Sequence, residues 1–107
     1  MFGFAAIWER WESVGGAALR TCCVLTTAAN DLVRPVHDRM PVILDRRGCD
    51  RWLEPGPPDP LRDLFQPFDP AAMESYPVSR LVNRVSVDIP ACREPAPPDP
   101  QRSLFEL

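Results

Sequence analysis

One histidine stands out among the residues of this sequence that could perform chemistry. His37 is the only histidine in the chain, and an imidazole, which titrates at about pH 6.5, can accept and release protons at neutral pH without large tuning. It lies in the polar stretch Val36-His37-Asp38-Arg39, which is typical of a loop. On these residues alone, a loop imidazole bonded to the backbone is the more common arrangement, and proton transfer is the alternative.

The other reactive residues form weaker patterns. Glu9 and Glu12 are three residues apart, but carboxylates that follow an apolar run are more often solvated than catalytic. The four cysteines include no CxxC pair, and adjacent Cys22 and Cys23 would point to opposite faces of a strand. Because no cysteine or histidine spacing fits zinc, we expect free thiols in a reducing cytosol, without metal, cofactor or disulfide.

The composition bounds the class of protein. The chain has 107 residues, of which 45% are apolar and 25% charged, as in one small globular domain. It has no apolar run of the ~18 residues that a membrane helix needs and no signal-peptide pattern, so we expect a cytoplasmic protein. All twelve basic residues are arginine, and the net charge is −3. This balance disfavours a general nucleic-acid binder, because such binding relies on neutralising phosphates.

The hydrophobic pattern predicts an α+β chain with a proline-rich rear. A helix beginning at Asp45 would place Cys49, Trp52 and Leu53 on one face. From residue 54 onward prolines interrupt the chain, which holds fourteen of them against an average usage of about 5%. In chain order the predicted elements are a strand over 2–8, a turn over 13–17, a strand over 19–26, a helix over 27–34 capped by Thr27, a strand over 41–44, helices over 45–53 and 59–65, a turn over 71–75 and a strand over 76–82.

Four segments resemble one protein family, in order and at workable spacings. They are FAAIWERW (4–11), VLTTAANDLVRPVHDRMPVIL (24–44), DRWL (50–53) and YPVSRLVN (76–83). Together they look like the C-terminal half of the SRAP family, the SOS-response-associated peptidases or abasic-site processing proteins. The resemblance implies a mixed, mainly antiparallel and incomplete sheet with short helices. It implies an SRAP half-domain over 1–92 and a proline-rich tail over 93–107.

The resemblance also implies a function. SRAP proteins engage abasic sites in single-stranded DNA, and a cysteine exposed by removal of the initiator methionine forms a thiazolidine cross-link with the opened sugar. The family uses the histidine of an H-x-RMP motif for proton transfer, and His37 matches it, which reverses the preference for a structural role. Arg39 resembles the arginine that contacts the DNA backbone, since a guanidinium holds two phosphate oxygens at once. Thr26 resembles a residue that lines the same pocket. A structural role for its hydroxyl, at a strand end or as a second helix cap, is an equally weighted alternative. The tryptophan motifs look structural, and we assign them to the core: Trp8, Trp11 and Trp52.

The sequence departs from the family where the nucleophile is expected. Residue 2 is Phe2 rather than cysteine, and the family's upstream segment with a second catalytic glutamate has no match; Glu9 belongs to a later motif. Thiazolidine formation needs an α-amine and a thiol on one residue, so we expect this chain alone to be inactive. The alternative to a DNA-processing enzyme is therefore a truncated fragment, or an accessory module that completes a partner chain.

A short motif near the C-terminus resembles a different recognition peptide. Residues 101–105, Gln-Arg-Ser-Leu-Phe, are similar to the pentapeptide that docks bacterial proteins on the replicative sliding clamp. Leu104 and Phe105 would fill an apolar pocket while Gln101 bonds its rim. The alternative is that Leu104 and Phe105 pack back onto the domain.

Overall fold

A computed structural model describes residues 1–97 of the chain. They fall into two units, one spanning Met1–Met73 and one beginning at Glu74. The elements of the first unit, in chain order, are β1 (Gly3–Phe4), β2 (Ala6–Glu12), β3 (Ala18–Val24), β4 (Thr26–Ala28), β5 (Arg39–Pro41), β6 (Ile43–Leu44), the helix α1 (Arg46–Leu53) and 3-10 helices at Asp59–Leu64 and Pro70–Ala72.

The six strands form three antiparallel pairs, β1 with β6, β2 with β3, and β4 with β5. One residue separates the strands within each extended segment: Ala5, Leu25 and Val42. At these positions the backbone hydrogen bonds form a cycle, because Ala5 N donates to Val42 O, Val42 N to Leu25 O and Leu25 N to Ala5 O, each over 2.9 Å. Each segment thus changes partner while these amide and carbonyl groups stay paired.

The predicted class, small antiparallel sheets with short helices, is confirmed. A single sheet is not formed by residues 1–97, which hold three two-stranded pairs instead. The physical reason is the cycle at Ala5, Leu25 and Val42, where every segment leaves one neighbour and joins another rather than extending the same ladder.

The hydrophobic core surrounds this cycle. Ala5, Val42 and Leu44 are buried, and four half-buried apolar residues pack against them: Leu25, Cys49, Trp52 and Leu64. The Trp52 indole Nε1 donates to Ala6 O over 3.1 Å, and the rings of Trp52 and Phe65 pack in a T-shaped arrangement with their centroids 5.9 Å apart. The core is therefore small, and two residues of α1, Cys49 and Trp52, pack against it.

The assignment of the tryptophans is right for Trp52 and wrong for the other two. Trp8 is 71% exposed and Trp11 58% exposed. Both lie on β2, and none of the residues of β2 or β3 is buried. The apolar run that suggested a core strand therefore forms a hairpin that no other element of the first unit covers.

Helix α1 forms where the sequence predicts it. The Asp45 carboxylate accepts from Gly48 N over 2.7 Å, which satisfies an amide that the first helical turn leaves unpaired. Cys49 and Trp52 face the core as predicted, but Leu53 is 79% exposed. Because α1 ends at Leu53 and the core beneath it is small, this last residue extends past the packed surface.

An ion pair links α1 to the following 3-10 helix. The Arg51 guanidinium donates to both carboxylate oxygens of Asp63, over 2.7 and 2.8 Å, and to Pro60 O over 2.9 Å. The side-chain hydrogen bond from Arg51 lowers the pKa of Asp63, and the same bond raises the pKa of Arg51. This two-bond geometry fixes the orientation of the 3-10 helix on α1.

Two predicted elements are wrong. Residues 27–34 do not form a helix, because Thr27 lies in β4 opposite Met40 and its hydroxyl donates to Phe65 O over 3.2 Å. Residues 76–82 do not form a strand but a single bridge, Val78 to Pro95, followed by a 3-10 helix, Arg80–Asn83. At Thr27, contacts with residues distant in sequence outweigh the local helix pattern. At residues 76–82, the Ser79 hydroxyl caps a 3-10 helix and interrupts the strand pattern.

The second unit is built from short local structures. Two 3-10 helices, Arg80–Asn83 and Pro90–Arg93, lie between the bridged residues. The Tyr76 hydroxyl donates to Arg93 O over 3.0 Å, and Ala96 N donates to Pro77 O over 2.9 Å. Within residues 1–97, none of the helices is long and apolar enough to cross a membrane.

Candidate functional site

The loop over residues 29–38, between β4 and β5, carries the histidine. Ala29 N donates to Asp38 O over 2.9 Å and closes the base of the loop, so that the paired strands extend directly from it. Within the loop His37 N and Val36 N both donate to Val33 O, over 3.0 and 2.8 Å. These bonds hold the backbone at His37 although its side chain is 67% exposed.

Asn30 anchors this loop to the rest of the unit. It is 6% exposed, and it is the one buried polar residue that residues 1–97 contain. Its Oδ1 accepts from Val33 N over 3.0 Å, and its Nδ2 donates to Phe68 O over 2.8 Å. Its backbone amide meets the sulfur of Met40 at 3.3 Å. Both ends of the amide side chain are therefore used for support, not for chemistry.

Three groups lie within hydrogen-bond distance of the His37 Nδ1 atom. Arg39 N donates to Nδ1 over 3.0 Å when that nitrogen is unprotonated, and Arg39 O, 3.2 Å away, can accept from it when it carries a proton. The Asp38 carboxylate also lies 3.2 Å from Nδ1 and can accept from the protonated ring. Nδ1 therefore has a partner in either protonation state, which suits a group that exchanges protons.

Arg39 and Thr26 are held together across the β4–β5 pair. The Arg39 Nη2 donates to Thr26 O over 2.8 Å and to Thr26 Oγ1 over 3.0 Å. Both residues are exposed, and among the described residues these are the hydrogen bonds of the guanidinium. A guanidinium has five N–H donors, so the remaining ones can meet an anion such as a phosphate. Since Thr26 lies in a strand, a helix-capping role for its hydroxyl is wrong.

The structure thus gathers the three sequence-predicted residues at one hairpin. An imidazole, a guanidinium and a hydroxyl lie on β4, β5 and the end of the loop that joins them: His37, Arg39 and Thr26. Together they offer anion binding and proton transfer, both of which a solvent-exposed surface can perform on a large substrate. The sequence pattern places Asn30 in a helix and does not single it out, although an asparagine before a turn is a known signal for side-chain to backbone bonding.

The other candidates lie elsewhere or have structural partners. Glu9 lies on β2 opposite Thr21, and Glu12 forms an ion pair with Arg10 over 2.7 Å. All four cysteines are free, and residues 1–97 hold no group of three or more side chains arranged to bind a metal ion. The three residues of the clamp-like motif lie outside the described residues: Gln101, Leu104 and Phe105.

Comparison with known proteins decides the family. The family model for the SOS response associated peptidase (SRAP) matches residues 1–85, which include every residue of the site described above. The chain belongs to the SRAP family. Two curated relatives from Bacillus subtilis (strain 168) are the abasic site processing proteins YoqW, 46% identical over 85 residues, and YoaM, 44% identical over 85 residues. The abasic site processing protein HMCES of Gallus gallus is 36% identical over 91 residues.

The SRAP match covers most of this chain but only part of each relative. The aligned region is 78% of this chain and 38% of YoqW, and it is 82% of this chain and 27% of HMCES. A crystal structure of a protein from Bacteroides thetaiotaomicron superposes with a TM-score of 0.78 at 28% identity, over 89% of this chain and 43% of that one. The chain therefore spans about two fifths of the length of its bacterial SRAP relatives.

Proposed function

We propose that this SRAP chain supplies the His37 side of a site that processes abasic sites in single-stranded DNA. The observation that carries the proposal is the shared hairpin of His37, Arg39 and Thr26, where the imidazole Nδ1 has backbone and carboxylate partners. Relatives named abasic site processing proteins are 33–46% identical over 85 or 91 aligned residues, which supports this substrate.

His37 is the proton-transfer group in this proposal. An abasic sugar must open to its aldehyde before an amine and a thiol can add to it, and both steps move protons. The neutral ring can accept the proton of the anomeric hydroxyl, and the imidazolium so formed can return a proton to the ring oxygen as the C–O bond breaks, which leaves the imidazole neutral again. The Asp38 carboxylate, 3.2 Å from Nδ1, stabilises the ring while it is protonated. The ring is exposed, as a group that meets a nucleic-acid strand must be.

Arg39 and Thr26 hold the DNA strand in this proposal. The guanidinium is oriented by two bonds from a single nitrogen to Thr26, which leaves its other donors for a phosphate. The Thr26 hydroxyl accepts from Arg39, so its own hydrogen is available to donate to a phosphate or sugar oxygen. The site therefore combines positioning of the DNA backbone, by Arg39 and Thr26, with proton transfer at the abasic sugar, by His37.

The covalent step requires a group that these 107 residues do not present. A thiazolidine forms when one residue supplies both an α-amine and a thiol, and in this polypeptide Phe2 follows Met1. We therefore expect the 107-residue polypeptide to form no covalent adduct with abasic DNA. A shifted band on a denaturing gel would contradict this expectation. The alternative function, an accessory module without cross-linking chemistry, predicts the same result here and is separated by the next experiment.

The test is a chimera in which residues 1–85 replace the aligned 85 residues of Bacillus subtilis YoqW. Adduct formation with a single-stranded abasic oligonucleotide is followed on denaturing gels. We expect the chimera to react and His37→Ala to slow it by about 10²–10⁴, the usual contribution of a positioned acid–base group. Val36→Ala, an exposed change in the same loop, is the matched control. An inert chimera favours the accessory module, and an unchanged rate for His37→Ala makes the imidazole structural.

Docking on a bacterial sliding clamp is a separate proposal for the C-terminal motif. A fluorescent peptide of residues 94–107 is titrated with the clamp, and Phe105→Ala should abolish binding because the ring is the anchor. A dissociation constant no tighter than ~1 mM, or binding that Phe105→Ala leaves unchanged, would end this proposal.

A further inference from the structure

Two methionine sulfurs contact Asn30, the anchor of the histidine loop. The Met40 sulfur accepts from the Asn30 backbone amide over 3.3 Å, and the Met73 sulfur accepts from Asn30 Nδ2 over 3.4 Å. The same Nδ2 donates to Phe68 O over 2.8 Å. A thioether is a weak acceptor, and neither sulfur takes part in the chemistry proposed for His37. The anchor therefore includes two groups whose bonding oxidation would change.

Exposure separates these two sulfurs. Met40 is 2% exposed, whereas Met73 is half-buried. Met73 directly follows the 3-10 helix at Pro70–Ala72, and its amide donates to Pro70 O over 3.1 Å. An oxidant must reach a sulfur in order to react with it, and a small peroxide reaches a half-buried side chain more readily than an enclosed one. Met1, the third methionine of the chain, is fully exposed and provides an internal reference.

We propose that Met73 is a site of reversible oxidation by a peroxide, and that its sulfoxide loosens the loop that carries His37. A lone pair of the Met73 sulfur attacks one oxygen of hydrogen peroxide, and the S–O bond forms as the O–O bond breaks. The sulfur loses two electrons, and the leaving hydroxide takes the proton of the transferred oxygen and departs as water. The reverse step uses a methionine sulfoxide reductase and two thiols, which become a disulfide while the oxygen leaves as water.

Oxidation removes the acceptor that Asn30 Nδ2 meets at Met73. The sulfur of a sulfoxide carries partial positive charge, so it repels an N–H donor instead of accepting from it. An oxygen on the side of Asn30 does not fit either, because the donated hydrogen fills the 3.4 Å between nitrogen and sulfur. Once the Met73 side chain moves away, Phe68 O is the acceptor that Nδ2 retains. A buried amide with fewer partners favours opening of the loop, since opening gives its donor access to water.

The modification and its effect on the loop stand apart from the chemistry proposed for His37. Only the consequence for DNA processing, a loss of activity on oxidation, rests on the proposed function. Oxidation and loop opening are both measured without DNA. A failure of either measurement is therefore distinguishable from a failure of the chimera to form an adduct.

The first experiment ranks the three methionines in the 107-residue chain. The folded protein is treated with hydrogen peroxide, and the sulfoxide at each methionine is followed over time by peptide mass spectrometry. Met1 should react fastest, Met73 next and Met40 slowest, because their exposure falls in that order. In concentrated urea the three rates should become similar, since unfolding removes the difference in access. A Met73 that reacts no faster than Met40 in the folded protein would overturn the proposal.

The second experiment measures the loop. Hydrogen exchange is recorded at the amides of Val36 and His37, which both donate to Val33 O. Peroxide treatment should speed their exchange by about two- to tenfold, the usual effect of losing one neutral hydrogen bond. Met73→Leu keeps the volume of the side chain and has no sulfur, so peroxide should leave its exchange unchanged. This control retains Met1 and all four cysteines, and any effect of their oxidation should appear in both proteins.

A third experiment tests reversibility. The oxidised chain is incubated with dithiothreitol and both types of methionine sulfoxide reductase, because each type reduces one epimer. Slow exchange at Val36 and His37 should return as the Met73 sulfoxide disappears. Three further outcomes would overturn the proposal: unchanged exchange in a chain oxidised at Met73, equal acceleration by peroxide in Met73→Leu, and fast exchange that persists after the sulfoxide has been reduced.

Discussion

The two hairpins of the first unit, β2–β3 and β4–β5, show opposite relations between strand length and burial. The β2–β3 strands have seven residues each and bury none of them, whereas the β4–β5 strands have three each and include the fully buried Met40. The short hairpin continues into Ala29 and Asn30, both buried. The long hairpin is richer in large apolar side chains, yet packing concentrates around the short one. Burial is therefore set by tertiary partners, and near the short hairpin they cover the base of the loop that holds His37, at Ala29, Asn30 and Met40.

The largest expected effect comes from comparing two truncations of apolar side chains, one at a buried position and one on the exposed β2–β3 hairpin. Leu44→Ala should lower the free energy of unfolding by about 2–5 kcal/mol, because Leu44 is 3% exposed and its loss leaves a cavity. Trp11→Ala removes a larger side chain but should change this free energy by less than about 1 kcal/mol. Urea denaturation of the 107-residue chain measures both. A cost for Trp11→Ala equal to that of Leu44→Ala would mean that the hairpin is packed in solution.

A smaller effect is expected from the polar anchor of the loop. Asn30→Ala should cost about 1–3 kcal/mol, since it leaves Phe68 O and Val33 N without their partners. Asn83→Ala, at an exposed position, is the matched control and should be near neutral. Amide exchange should also become faster at His37 N, whose bond to Val33 O depends on the same turn. An Asn30→Ala variant as stable as the Asn83→Ala variant would show that the loop does not depend on its anchor.

The smallest effect is a pH dependence outside both hairpins. The hydrogen bond from Arg51 lowers the pKa of Asp63 below its ordinary 3.8. A group whose pKa is lower in the folded state adds stability above its unfolded pKa, and that stability is lost as the pH falls through the folded value. Asp63→Asn should therefore be slightly less stable than the wild type at pH 7 and equal to it at strongly acidic pH. Both side chains are solvent-accessible, so the difference is small. Urea denaturation of both proteins at pH 7 and at pH 2 measures the difference in their free energies of unfolding. A difference that is the same at both pH values would contradict the prediction.

Local signals explain the elements that the sequence predicts correctly. Helix α1 follows from the Asp45 cap and the spacing of Cys49 and Trp52, all within nine residues. The β2–β3 turn follows from Gly15-Gly16, where Gly16 adopts a φ of +84° that other residues rarely tolerate. Such elements depend on neighbours in the chain, so a single sequence contains enough information to place them.

The failures arise where distant residues decide the structure. Thr27 reads as a helix cap, but its hydroxyl meets Phe65 and its backbone pairs with Met40. Trp8 and Trp11 are assigned to the core because their motifs look structural in the family, and no local signal reveals that both side chains are exposed. The site shows the same division. The motif places His37 next to Arg39, but the contact of Arg39 with Thr26 depends on the register of β4 with β5.

The anchors of the histidine loop have a consequence for the time course of synthesis. Asn30 bonds to Phe68 and Thr27 bonds to Phe65, and each pair is separated by 38 residues in sequence. At about 5–20 residues per second, a ribosome needs roughly 2–8 s to add that length of chain. For most of this interval, once Arg39 has been added, the nascent polypeptide contains His37 and Arg39 but lacks Phe65 and Phe68, whose carbonyl groups tie the loop to the rest of the first unit. A chain interrupted before residue 65 would carry the motif and its local hydrogen bonds without these two anchors.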